Sequence, residues 1–581
     1  MTISDAEWPV PHRHWDLRET DPQSTSAIES GFGLSPTTAR VLAARGITEH
    51  EDVHAYLHPS LDGLHSPFEF VQMEAAVDRL LSALDRSERI FVHGDYDVDG
   101  ITATVVLVTC LRSLGGDVDY GVSHRLREGY GLNPSSVDRA HEAGAKVLVS
   151  VDCGITAHAA AERARQLGID LIIADHHQPG EEIPAALAVL DPCLPDSGYP
   201  EPDLAAVGVA FKLGRGVLQR HDSGRRGTAL LKLVAIGTIA DLAPLRGENR
   251  IITHHGLESL KDAVNPGLLA LMDVSGVGRT AVTTTDVSFR LAPRINAAGR
   301  LDDASAAIEM FLTGDPGRAR HLAKHLHKLN RQRQELGEQI LQSALEHEPS
   351  PEDAFVVAAD DGWHRGVIGI VASRLVEQWR RPAIVISIEG DEAHGSARSI
   401  AGFDILAALC EVSEHLEEFG GHQQAAGLRL KAQNVGAFRE ALLATGREGL
   451  QDALQRTECL ECDAELPADV SLRDLALELG RLAPFGAGNR EPRFICSDME
   501  ISDDVVVING AHLKLKLSTC SGDIEAIAWR QAQVAPFLTD CRRIDAVASL
   551  QMRRWRGRNN PQLVLEDFRP AGDQPASSRL A

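Results

Sequence analysis

Aromatic residues make up 4% of this 581-residue chain, cysteines number nine, and cations are outnumbered, 58 Lys and Arg standing against 83 Asp and Glu for a formal charge of −25. Each scarcity excludes something. An odd, scattered set of cysteines argues against a disulfide framework. Cys459 and Cys462 form a lone C-x-x-C without a second pair, which reads as two unlinked thiols rather than a zinc site. No uninterrupted apolar run reaches the about 20 residues that a bilayer requires. No charged-then-apolar leader opens the sequence, so the expectation is a cytoplasmic protein without a membrane partner. The shortage of cations weighs against a polynucleotide partner, because phosphate contacts favour basic proteins. Two features offset it. Acids that bind metal no longer act as free negative charge, and bases are locally dense at 318–334 and 553–558.

What the sequence does have is acid at the ends of apolar runs. FVHGDYDVDG, Phe91 to Gly100, packs His93, Asp95, Asp97 and Asp99 between the runs RIFVH and ITATVVLVTCL. That pattern reads as strand, acidic loop, helix. KVLVSVDCG ends its run at Asp152, and DLIIADHH ends at Asp175, His176 and His177. Carboxylates crowded at strand ends repel one another and need a counter-charge, for which a divalent cation is the usual solution. A further carboxylate, Asp241, closes the helical run ALLKLVAIGTIAD.

The chain is too long for one core. Residues 1–75 show short helical patterns and read as a helical cap on the next domain. Residues 76–314 alternate strands with helices, which predicts a mostly parallel sheet with ligands at the strands' carboxyl ends, followed by a helical segment. Within that segment FRLAPRINAAGRLDDA carries Arg290, Arg294 and Arg300 beside small residues. Spacing alone leaves phosphate binding and surface ion pairing equally open. Residues 315–348 read as a connecting helix, and 349–455 as a second α/β domain. There Gly420 and Gly421 before His422 suggest a flexible turn, with Ser396 and Arg398 able to complete a phosphate cradle. Residues 456–570 show short alternating strands that predict a small β-barrel, and 571–581 a tail. Trp555, among the arginines of RRWRGR, is a base-stacking candidate, while Phe485 and Trp529 read as core.

GDYDVDG, SVDCGIT, ADHH, GTIAD, PRINAAGR, GWHRGVIGIVASRL and GGHQQAAG, in this order, resemble the DHH phosphoesterase superfamily, and within it the single-strand-specific 5′→3′ DNA exonucleases. The resemblance implies an α/β multidomain fold: a parallel-sheet DHH domain, a long connecting helix, a DHH-associated α/β domain and a C-terminal OB-fold barrel. It implies two divalent cations, Mn2+ with Mg2+ able to serve. His93, Asp97 and Asp152 would hold one, and Asp99, Asp152, His176 and Asp241 the other. Asp95 and Asp175 would orient ligands, and His177 would face the substrate phosphate. The implied phosphate-binding residues are Arg127, Arg294, Arg300, Ser396, Arg398 and His422. The implied partners are single-stranded DNA with a 5′ end, a helicase and a single-strand-binding protein, the enzyme itself being a monomer. Rival readings are a small-substrate DHH enzyme, such as a nanoRNase, nucleotide phosphatase or pyrophosphatase, and an inactive replication scaffold. The predicted barrel counts against the former and the complete ligand set against the latter.

Overall fold

The structure, a computed structural model, describes residues 13–125, 128–221, 227–350, 353–445, 449–450, 453, 459–520, 522–538, 541–555 and 558–572, with backbone alone at 554, 555 and 558. It divides the chain into two compact units, one of residues 60–451 with 486–489 and the other of the remaining described residues.

In the first unit, short Val-, Ile- and Leu-rich runs build a five-stranded, all-parallel sheet. Its order is Val118–Val122, Ile90–Gly94, Val147–Val151, Asp170–Ala174, Ala188–Leu190. The central strands are buried on both faces, which is why they read as continuous apolar runs rather than alternating ones. The strand order reverses between Ile90–Gly94 and Val147–Val151, and such a switch point opens a crevice at the carboxyl ends.

The connecting helix is Pro316–Leu345, with Asp315 capping it through Gly317 N–H at 2.8 Å and Pro316 at its first position. Thirty residues make it about 45 Å long. Its buried face serves two cores. Ala319, Leu322, Ala323, Leu326 and Leu329 enter the core of the first sheet. Ile340 and Ala344 enter the core of the second α/β domain. That domain's sheet runs Glu418–His422, Ala425–Lys431, Glu392–Arg398, Ala383–Glu389, Val356–Asp361, antiparallel except for the last pair. Gly420 and Gly421 thus lie in an exposed edge strand and not in the expected flexible turn.

Under the helices, Lys212 and Glu248 form a fully buried ion pair. Lys212 Nζ also donates to His65 O at 2.7 Å, His65 N–H donates to Glu248 Oε1 at 2.8 Å, and the Tyr199 hydroxyl donates to Oε2. Glu248→Gln strands a buried ammonium, and is expected to cost about 3–5 kcal/mol. Thermal and urea melts of Glu248→Gln beside Glu248→Gln/Lys212→Met would measure this. Recovery of most of the loss in the double variant is expected, and an unchanged melt in the single variant would refute it.

The second unit contains the barrel. Strands Phe494–Ile501, His512–Thr519, Gly522–Ala528, Arg543–Trp555 and Arg558–Pro570 close on themselves where Glu500 and Ile501 pair with Ser518 and Leu517. The N-terminal helices, expected as a cap on the domain that follows, belong to this unit. Ile28, Leu34, Val41, Leu42, Val53 and Leu57 share a core with Leu472, Leu475 and Leu479 of helix Leu472–Leu479 and with the barrel. Strand His14–Leu17 pairs with Cys459–Cys462, in which Cys459 is exposed and Cys462 buried. Phe485 packs on the barrel core. Trp529, expected in the core, is 52% exposed, because it lies just past the end of strand Gly522–Ala528.

Candidate active site

Sheet register gathers the acids. Gly94, Val151, Ala174 and Leu190 are cross-strand partners in succession. The next residue on each strand is an aspartate, so Asp95, Asp152, Asp175 and Asp191 form one row at the carboxyl edge. Asp152 adopts φ 61°, a left-handed conformation that Asp tolerates better than most side chains. Asp97 caps helix Val98–Ser113, accepting the N–H groups of Asp99 (2.9 Å) and Gly100 (3.2 Å). Gly100 has no substitute here, since a Cβ would lie 2.5 Å from Asp95 O.

Asp99 accepts Ala206 N–H and Val207 N–H, each at 2.9 Å, and so caps helix Ala206–Arg220 from a distance. Asp241 ends helix Leu231–Ala240 beside it. His176 Nε2 lies 3.3 Å from Asp152 Oδ1, 3.7 Å from Asp99 Oδ2 and 3.9 Å from Asp241 Oδ2. This nitrogen is buried and has no hydrogen-bond partner. Burial keeps the imidazole pKa low, so the ring is neutral and offers a lone pair. Burial, then Asp241, pushes Asp99 up to about 7, and burial with Asp97 does the same to Asp241. Burial and neighbouring carboxylates push Asp95 and Asp152 well above the usual range. An orphaned neutral nitrogen among mutually repelling carboxylates, hydrogen-bonded to none of them, fits shared divalent cations.

The ligand atoms fall into groups within 4.8 Å: Asp95, Asp97 and Asp152; Asp99, His176 and Asp241; Asp152, His176 and His177. The resemblance put His93 in the first group and Asp95 outside it. The structure brings Asp95 in. His93 is in none of these groups: its Nε2 lies 3.0 Å from Ser123 Oγ, and burial, then Arg139, drives its pKa down to about 4. Its other ring nitrogen, Nδ1, is buried without a hydrogen-bond partner. Asp175 joins none of the groups. Its carboxylate accepts the N–H groups of Ile155, His176 and His177, and lies 2.7 Å from His177 Nδ1. Burial lowers the His177 pKa, but Asp175 outweighs that and holds it at about 9. Tyr130, which the sequence reading did not single out, puts its hydroxyl 3.1 Å from Asp152 O and 3.0 Å from His177 Nε2.

The expected phosphate-binding residues divide. Arg300 and Arg398 meet where helix Arg365–Trp379 begins. Arg300 Nη1 donates to Gly366 O at 3.2 Å, and Arg398 Nη1 donates to Ser396 Oγ at 3.0 Å. A Cβ on Gly369 would come within 2.9 Å of Ser396 Oγ and Arg398 Nη2. Burial, then repulsion from Arg125, Arg333 and Arg398, pushes Arg300 down to about 9, while burial, then Arg125, lowers Arg398. Arg125, unnoticed in the sequence, packs over Tyr96 in the acidic loop, 5.1 Å from the ring centroid, and so joins this pocket to the carboxylates. Clustered guanidinium groups at a helix N-terminus make an anion site. His422 lies in the same sheet row as Arg398, on the exposed edge strand, with Ala425 between them. Arg294 is elsewhere, its Nε 3.1 Å from His327 Nδ1. Arg127 lies outside the described residues. Trp555 ends a barrel strand, and only its backbone is described.

Residues 89–238 match the DHH family, N-terminal domain, 352–447 the DHHA1 domain and 462–567 the RecJ OB domain. The single-stranded-DNA-specific exonuclease RecJ of Bacillus subtilis (strain 168) is 35% identical over 561 residues, covering 95% of this chain and 70% of that protein. Its counterpart in Escherichia coli (strain K12) is 34% identical over 562 residues, covering 92% and 96%. The crystal structure of RecJ in complex with Mn2+ from Thermus thermophilus superposes with a TM-score of 0.81 at 30% identity, over 96% of this chain and 79% of that one. A second crystal structure, of the same protein with Mg2+, gives 0.75. The likeness runs along nearly the whole length, through all three matched domains, and the chain belongs to the RecJ family of single-stranded-DNA-specific exonucleases.

Proposed function

We propose that the chain hydrolyses single-stranded DNA from its 5′ end, releasing 5′-mononucleotides, with two divalent cations at the strand ends. The observation that carries this is His176 Nε2, buried and unpartnered among Asp99, Asp152 and Asp241. Asp95, Asp97 and Asp152 hold one cation, and Asp99, Asp152, His176 and Asp241 the other. The cations supply Lewis acidity and a lowered pKa for the attacking water. Asp175 aims the His177 imidazolium at the scissile phosphate. Arg300, Ser396, Arg398 and Arg125, with His422 at the edge, receive the terminal phosphate, which sets the polarity. The barrel holds the strand that follows. The excess of acid weakens unaided capture of long strands, so a helicase and a single-strand-binding protein present the substrate to a monomeric, cytoplasmic enzyme. Among the described residues no helix is long and apolar enough to cross a membrane.

Digestion of a long strand labelled at either end, with Mn2+, tests the reading. Immediate release of 5′ label as mononucleotide, with stepwise shortening of the 3′-labelled strand, is expected. Hydrolysis of dinucleotides or bisphosphates alone would favour a small-substrate enzyme. Mn2+ binding without turnover of either substrate would favour a scaffold.

A further inference from the structure

We infer that the outer face of the connecting helix is a second nucleic-acid contact, separate from the catalytic pocket, that grips the phosphate backbone of the strand. Arg320, Lys324 and Lys328 recur at i, i+4 and i+8 on the solvent side of helix Pro316–Leu345, opposite its buried residues. That spacing sets them about 6 Å apart along the axis. Like charges at i,i+4 destabilise a helix. The chain has 83 acids with which to neutralise such a row. It does so for nearby cations: Arg318 binds Glu309 at 2.6 Å and Arg331 lies 3.7 Å from Glu335. Among the described residues, Arg320, Lys324 and Lys328 have no carboxylate partner.

The row does not stand alone. His327, on the flank of the same face, accepts from Arg294 of helix Ala292–Leu301 at 3.1 Å, and burial, then Arg294 and Arg331, lowers its pKa. Arg294 in turn donates to Arg290 O, and the preceding residue, Phe289, is 76% exposed. A row of unpaired cations along an exposed helix face suits a polymer backbone read without regard to sequence. This accounts for Arg294 lying apart from Arg300 and Arg398. An acidic protein segment is the competing occupant.

The test is the triple variant Arg320→Gln/Lys324→Gln/Lys328→Gln, with melting temperature as a folding control. Fluorescence anisotropy on a long poly(dT) strand in EDTA gives the salt dependence of binding. Each lost phosphate contact on a single strand reduces the slope of log K against log salt by about 0.7, so a reduction of about 2 is expected, with roughly tenfold to hundredfold weaker binding at moderate salt. With Mn2+, KM for the long strand should rise while kcat, and both constants for a 5′-phosphorylated dinucleotide, stay as in wild type. An unchanged slope overturns the inference. So does an equal loss on long strand and dinucleotide, which would put the row in the catalytic pocket. Loss of polyglutamate binding with DNA binding intact would overturn it in favour of an acidic protein partner.

Discussion

Replacing Asp152 with asparagine should lower the rate of strand digestion by roughly 10³- to 10⁵-fold, the scale of several kcal/mol of lost metal-assisted stabilisation. It should also raise the melting temperature of the metal-free protein by a few degrees. Both effects come from one position. Asp152 lies at the strand-order switch and belongs to two of the groups that can hold a cation. Burial, then Asp97, Asp99, Asp95 and Asp175, pushes its pKa far up. A carboxyl group with a folded pKa above its unfolded value takes up protons on folding. Its cost is absent below the unfolded pKa and grows as pH rises. Asparagine removes that cost, tolerates the left-handed φ of 61° and keeps the shape. In wild type, Mn2+ should raise the melting temperature in proportion to the logarithm of its concentration, and in the variant this shift should vanish. Scanning fluorimetry with EDTA and with Mn2+, beside label release, measures all three. A variant that keeps the full Mn2+ shift, or melts lower than wild type without metal, would remove Asp152 from the centre of the site.

Much of the site could be read from local sequence because a parallel sheet puts its chemistry at strand ends, and strand ends show as apolar runs that stop at an acid. Asp152, His176 and Asp241 are legible in this way. What sequence cannot show is side-chain direction and cross-strand register. His93 and Asp95 are two residues apart in one motif, yet the structure groups Asp95 with Asp97 and Asp152 and leaves His93 beside Ser123. Asp191 ends an apolar run as Asp152 does, and only the strand pairing reveals that it completes the row. It is fully buried, with one oxygen unpartnered. Arg125 belongs to no local pattern, Arg333 is one base of the dense run 318–334, and both meet Arg300 only through tertiary packing. The N-terminal helices carry clear apolar faces, but their partner helix, Leu472–Leu479, lies more than 400 residues away in sequence, beyond the reach of any periodicity. The barrel was visible from alternation, although strand Phe494–Ile501 was not. A bulge between Cys496 and Met499 breaks its period.

Arg398→Gln should cost about 10²- to 10³-fold in kcat/KM on a 5′-phosphorylated strand, and only a few-fold on the same strand ending in a 5′-hydroxyl. Truncating one partner of a buried charge pair costs about 2–5 kcal/mol, which sets the larger figure. Among the described residues Arg398 has no carboxylate partner. Its Nη1 is spent on Ser396 Oγ and Ala397 O, and its charge is pressed by Arg125. Arg300 is pressed by Arg125, Arg333 and Arg398 together, yet at about 9 it stays charged at neutral pH. Mutually repelling guanidinium groups gain most when a doubly charged phosphate enters, and a hydroxyl end offers no such gain. Removing one of them should leave the substrate-free protein no less stable, so activity falls without a fall in melting temperature, and the Mn2+ shift stays as in wild type. Arg398→Lys keeps charge but not the planar fork, and should recover only part of the loss. Steady-state kinetics on the paired substrates, with melting curves, decide the matter. An equal loss on both substrates would mean that Arg398 supports the fold or the metal centre, and a melting temperature lowered by many degrees would say the same.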